Sequence, residues 1–89
     1  MELNVTIQIW QKGNWYVAKS PELNFISQGK TPEEAEKNLE EAINIQFEEM
    51  VEAGTLEECL SECGFQIEDD IVIPKNEIIG FEKSSFSVL

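Results

Sequence analysis

The sequence predicts an α+β domain: a three-stranded antiparallel meander, then a long helix packed on one face, a short second helix and one or two further strands. Three observations carry this. Apolar and polar residues alternate at period two near the start of the chain. Thr31-Pro32-Glu33-Glu34 opens a run of apolar residues at helical spacing. Glycine or proline marks almost every junction between these patterns. With 89 residues, of which 42% are hydrophobic, the chain is expected to form a single domain spanning residues 1–89, because half of it would bury too little surface to fold.

The elements follow in order. Leu3, Val5, Ile7 and Ile9 alternate with Glu2, Asn4, Thr6 and Gln8, which predicts a first strand with one wet face. Gln11-Lys12-Gly13-Asn14 has turn chemistry, with Gly13 free to take positive φ. Trp15–Lys19 is aromatic and β-branched and reads as the second strand of a hairpin. Pro21 cannot donate to a ladder, so Ser20-Pro21-Glu22 should end it. Phe25–Gln28 is a short third strand closed by Gly29.

The long helix has a Thr31 cap, Pro32 at its first position and Glu34 as capping-box partner. Ala35, Leu39, Ala42, Ile43, Phe47 and Met50 form its buried stripe, while Lys37, Glu40, Glu41, Asn44 and Glu48 fall outside it. Gly54 should stop it. A shorter helix should follow, with Thr55 as cap, Glu58 as box partner, an apolar stripe of Leu56, Cys59, Leu60 and Cys63, and Gly64 as its stop. Phe65–Ile73 reads as strand, with Asp69-Asp70 at a bulge or a turn. After the Pro74-Lys75-Asn76 break, Ile78–Phe81 and Ser85–Leu89 each have the composition of a short strand.

Charge narrows the function. Eighteen acidic residues face six lysines and no arginine, a formal net charge of −12. Such a chain is expected to avoid nucleic acid, whose affinity comes from cations displacing counterions, and to be drawn to basic partners. The alternative is that the acidity only maintains solubility. Histidine is absent, which removes the commonest general base and metal ligand. Cys59 and Cys63 are too few for a disulfide framework and read as small apolar-face residues. No metal or cofactor is expected. Glu68, Asp69 and Asp70 are adjacent, but neighbours on a strand point to opposite faces, so a solvated turn is the simpler reading. No run is long enough to span a membrane and no export signal stands at the start, so a cytoplasmic location is expected. Trp10, on the opposite parity from Leu3–Ile9, and Ile45, Val51 and Ala53, off the helix stripe, are apolar residues without a core position. They predict a homodimer or larger symmetric assembly.

The series Gly13, Tyr16, Ala18, Pro21-Glu22-Leu23, Ser27-Gln28-Gly29, Thr31, Glu33-Glu34-Ala35, Asn38 and Glu41-Ala42-Ile43 resembles the HicB-like antitoxin family over about the first half of the chain. The resemblance implies a partial ribonuclease-H-like fold. It also implies a role: binding and silencing a HicA-type toxin, a small basic RNA-cleaving protein. Where family members commonly carry Pro-Gly-Cys after Pro-Glu-Leu, this chain has Asn24, Phe25 and Ile26. Many members add a C-terminal DNA-binding domain. Residues 75–89 hold only Lys75 and Lys83 as cations, so no such module and no autorepression are expected. This would be a short form.

The function expected is therefore non-enzymatic protein–protein contact. The outward acids Glu40, Glu41 and Glu48 are the candidate charge complements to the toxin. Trp10, Trp15 and Tyr16 are the candidate aromatic anchors, with a core position equally open for Trp15 and Tyr16. Two other readings stand beside it. One is an orphan HicB-like scaffold or regulatory subunit without a toxin. The other, less favoured, is a metal-dependent ribonuclease-H-like nuclease, which would need acids such as Glu2, Glu68, Asp69 and Asp70 to converge.

Overall fold

A computed structural model describes residues 2–89. It contains two small antiparallel sheets and two helices: β1 (Gln8–Lys12), β2 (Trp15–Ser20), β3 (Phe25–Gly29), α1 (Pro32–Ala53), α2 (Leu56–Glu62), β4 (Phe65–Glu68) and β5 (Ile71–Pro74). The first sheet has the order β1-β2-β3, and β4 pairs only with β5. The predicted α+β order therefore holds.

The β1–β2 hairpin closes through Gly13-Asn14, between the pair Lys12 and Trp15. Gly13 has φ +64 and Asn14 does not share a positive φ, the pattern of a type II′ loop, which matches strand twist. β1 begins at Gln8, five residues later than the alternation from Leu3 predicts. The reason lies in its partner. Gln8 pairs with Lys19, and beyond Ser20 the neighbouring chain becomes the Pro21–Asn24 corner, which offers no ladder. The Thr6 N–H instead donates to both Glu22 carboxylate oxygens, at 3.1 and 3.0 Å. Leu3, Val5 and Ile7 still pack against the core, so the predicted facing is right although the strand is shorter. In the corner itself Leu23 is buried, and Asn24 takes φ +58 with its N–H on the Ser20 carbonyl.

α1 begins as expected. The Thr31 hydroxyl accepts from the Glu34 N–H at 3.0 Å, and Gly54 ends the helix at φ 72. Ala35, Leu39 and Ile43 are buried along its inner stripe. They lie over the sheet face formed by Tyr16, Ala18 and Ser20 of β2 and Phe25, Ser27 and Gly29 of β3, since alternate residues share a face. Gly29 allows the closest approach: a Cβ there would stand 2.6 Å from the Ala35 nitrogen. The Asn38 amide donates to the Gln28 carbonyl at 2.9 Å, tying the helix to the edge strand β3.

A helix of 22 residues is about 33 Å long, whereas strands of five or six residues span about 20 Å. The C-terminal half of α1 therefore overhangs the first sheet. α2 and β4 cover part of the overhang, and Leu60 and Phe65 are buried there with Ile43. The Thr55 side chain makes no capping bond, contrary to the predicted box; the backbone is already turned into α2, at φ −110 and ψ 4, away from the extended geometry a cap adopts. Phe65–Ile73 resolves into a hairpin in which Asp69 and Asp70 are both at positive φ, 49 and 63, the requirement of a type I′ turn. Ile78–Phe81 and Ser85–Leu89 form no strands, because neither pairs with a neighbouring edge.

Ser20 is fully buried and its hydroxyl has no hydrogen-bond partner. Such a group keeps its desolvation cost without compensation. Ser20→Ala is expected to raise stability by about 1 kcal/mol. Urea denaturation checks this; a loss of similar size would mean that the hydroxyl has a partner in solution.

Candidate functional site: two opposed faces

The domain has two layers, and five of the six candidate residues, all but Tyr16, lie on one of its two outer surfaces. On β1 and β2, residues on the parity opposite Ala18 point away from α1. These are Trp10 and Lys12, and across the ladder Trp15, Val17 and Lys19; Ile26 of β3 continues the set. Trp10 is 47% exposed, Trp15 44% and Ile26 66%. Together with Lys12 and Val17 they line shallow hollows on the open side of the sheet. No acidic residue lies on these strand positions.

Tyr16 is not part of this group. It neighbours Trp15 on a strand, so it points to the opposite side, half-buried against the core. Trp10 and Trp15 share one surface, and Tyr16 is a packing residue. The same parity rule finds two members that the anchor list missed, Val17 and Ile26.

Glu40, Glu41 and Glu48 are all exposed, on the outward side of α1. Glu41 and Glu48 are seven apart and share a stripe, while Glu40 is one residue step, about 100°, around the helix. The helix separates all three from the tryptophans by the thickness of the domain. One partner surface cannot meet both sets at once. The acids and the aromatics lie on two separate surfaces.

The acidic surface continues to the end of α1. The helix carries eight glutamates and one lysine, and its last turn holds no basic residue. Glu48, Glu49 and Glu52 therefore stand at the negative end of the helix dipole, where cations are favoured. Asn44, Phe47, Glu48, Val51 and Glu52 line a shallow groove here. Phe47 is half-buried and Val51 is 62% exposed. Phe47 and Val51 give this hollow an apolar floor between neighbouring side chains of α1 alone, with Glu48 and Glu52 at its rim. Glu49 and Glu52 were outside the predicted set, although the absence of lysine from the last two turns marks them in the sequence; Val51 was expected only as an off-stripe apolar residue for self-assembly.

The remaining candidates stay apart. Among the described residues no three acids or cysteines come close enough to hold a metal ion. Glu68 accepts from Gln66 within the hairpin, and Asp69 and Asp70 are its exposed turn. Cys59 on α2 and Cys63, which caps its C-terminal end, are free and half-buried, less enclosed than a core position. Burial pushes the Cys63 thiol up from its usual pKa, and Cys59 and Glu62 push the same way, so it stays protonated at neutral pH. Among the described residues no helix is long and apolar enough to cross a membrane.

What the fold and its surfaces define is a small two-layer sheet-and-helix protein with an acidic helix face and an aromatic, lysine-edged sheet face. No family model, curated protein or solved structure matches the chain.

Proposed function

We propose that this protein is an antitoxin-like inhibitor of the HicB type, with a partial ribonuclease-H-like fold, that neutralises a small basic RNA-cleaving toxin of the HicA type by protein–protein contact and without catalysis of its own. The observation that carries the reading is the groove on α1, where Glu48 and Glu52 flank Phe47 and Val51 at the negative helix terminus. A basic, RNA-binding surface offers the complement: cations for the rim and apolar stems for the floor. Occupying those cations removes the charges that would meet phosphate. The resemblance of the Gly13–Ile43 series to HicB-like antitoxins supports the same role, and the acidic composition fits it.

The test is direct. A small lysine-rich reading frame beside this gene should arrest growth when expressed alone, and co-expression of this chain should restore growth. Glu48→Lys with Glu52→Lys is expected to weaken the complex about tenfold to a hundredfold, chiefly by slowing association, and the effect should shrink at high salt. Trp10→Ser should leave affinity for the toxin unchanged. Full affinity in the charge-reversed variant would remove the groove from the interface. No such neighbouring frame, with no basic protein retained by the purified chain, would favour the orphan scaffold.

A further inference from the structure

The open sheet face and the segment from Ile78 to Leu89 are both unsatisfied, and their chemistry matches. Ile79, Phe81, Phe86 and Val88 are 93%, 62%, 85% and 88% exposed. The first part of the segment runs beside β1: Phe81 and Lys83 share a shallow groove with Ile7, Ile9 and Trp10, while Glu77 lies near Leu3. The chain therefore travels along β1 in the same direction and leaves it at the Trp10 end, at the border of the aromatic face. It does not turn back onto its own domain. The radius of gyration is 15.5 Å, with extents of 49 × 29 × 18 Å, against about 12 Å for a compact chain of this length.

We propose that residues Ser84–Leu89 of a second copy of this chain lie across the face formed by Trp10, Trp15, Val17 and Ile26, and that the exchange is reciprocal about a two-fold axis. Charge selects the occupant. Lys12 and Lys19 on this face repel a basic partner, and none of its strand positions holds an acid; Glu82 stands only at its border, beside Trp10. Two chains of charge −12 repel each other across every acidic surface, so this face, whose strand positions hold no acid, is where copies can meet. Ser84-Ser85-Phe86-Ser87-Val88-Leu89 carries no charged side chain. Extended, it puts Phe86 and Val88 on one side. Its six residues reach about 20 Å, enough to cross three strands, which span about 14 Å. The sheet face alone is smaller than the roughly 800 Å² per partner of a stable interface, and the exchanged segments supply additional buried surface.

Both tryptophans of the chain are on this face, so their fluorescence reports its cover. In a dilution series of the full chain, sedimentation velocity should show a monomer–dimer equilibrium, with tryptophan emission shifting to the red as dimers dissociate. Phe86→Ser with Val88→Ser, both outside the core, should raise the dimer dissociation constant about a hundredfold or more and give red-shifted emission throughout, with the helical circular dichroism unchanged. Trp10→Ser with Trp15→Ser should also yield monomers. Blue-shifted emission from a monomer at every dilution would place the segment on its own sheet and overturn the proposal. A dimer untouched by the Phe86/Val88 changes would overturn it equally, because the faces would then pair without the segment. Toxin binding through α1 is not involved in either readout.

Discussion

Gly29→Ala is expected to destabilise the protein by about 3 kcal/mol, the upper end of what overpacking usually costs and a large share of the 5–15 kcal/mol that holds a typical domain together. A single methyl has this leverage because of what it would strike. A Cβ on Gly29 would stand 2.6 Å from the Ala35 nitrogen and 2.9 Å from the carbonyl carbon and Cβ of Glu34. These are mainly backbone atoms in the first turn of α1. That turn is fixed by the Thr31 cap on one side and by buried Ala35 on the other, so it cannot give way without lifting the helix from the sheet. Gly80 is the control: nothing lies within 4 Å of its added Cβ, and Gly80→Ala should be neutral within about 0.5 kcal/mol. Thermal or urea unfolding of both variants decides the matter. If Gly29→Ala were as harmless as Gly80→Ala, α1 would not approach β3 as closely as described.

The same contact explains which parts of the fold were legible in the sequence. α1 was read almost to the residue, because its signals are local: a threonine hydroxyl, a proline that needs no donor, a stripe at 3 and 4 spacing, a glycine at the left-handed stop. The start of β1 was not, because strand extent depends on the partner. Leu3–Ile7 alternate like a strand, yet the chain opposite them has turned away at Pro21, and Glu22 stands in for the missing ladder. The β4–β5 hairpin stayed ambiguous for a related reason. Two aspartates at positive φ are uncommon turn residues, and the usual signal is asparagine or aspartate before glycine.

The residues that resemble HicB-like antitoxins mostly build this framework. Ala18, Leu23, Ala35 and Ile43 are core, Gly13 makes the loop, Glu22 holds Thr6, Gly29 admits the helix, Thr31 caps it and Asn38 ties it to Gln28. The series thus speaks to how helix and sheet are joined, whereas the proposed partner contacts fall on Glu48, Val51 and Glu52 and on the open sheet face. Those surfaces were only half legible. Charge counting found the helix acids. Trp15 and Tyr16 are neighbours on a strand and face opposite ways, and nothing local to the helix shows that it outruns its sheet.

Leu39→Ala is the second change expected to have a large effect, about 2–5 kcal/mol. Leu39 and Ile45 make a matched test on one helix: both are large aliphatic residues with good reason to be apolar, six positions apart. Leu39 is fully buried and among the largest wholly enclosed side chains of the core, in one cluster with Ala18, Leu23 and Ile43. Removing three side-chain carbons there, Cγ and its two methyls, loses their transfer free energy and leaves a cavity between two rigid layers that cannot collapse to fill it. Ile45 is 54% exposed on the outward side, so Ile45→Ala removes little that folding has enclosed and exchanges isoleucine for the best helix former. It should change stability by less than about 0.5 kcal/mol. The ratio of the two losses, measured by denaturant midpoints at equal slope, reports which face of α1 meets the sheet. Comparable losses would mean that Ile45 is covered in solution. Because the outward face of α1 is the one proposed to meet a toxin, a loss of complex affinity on Ile45→Ala, with stability unchanged, would mark Ile45 as part of that interface.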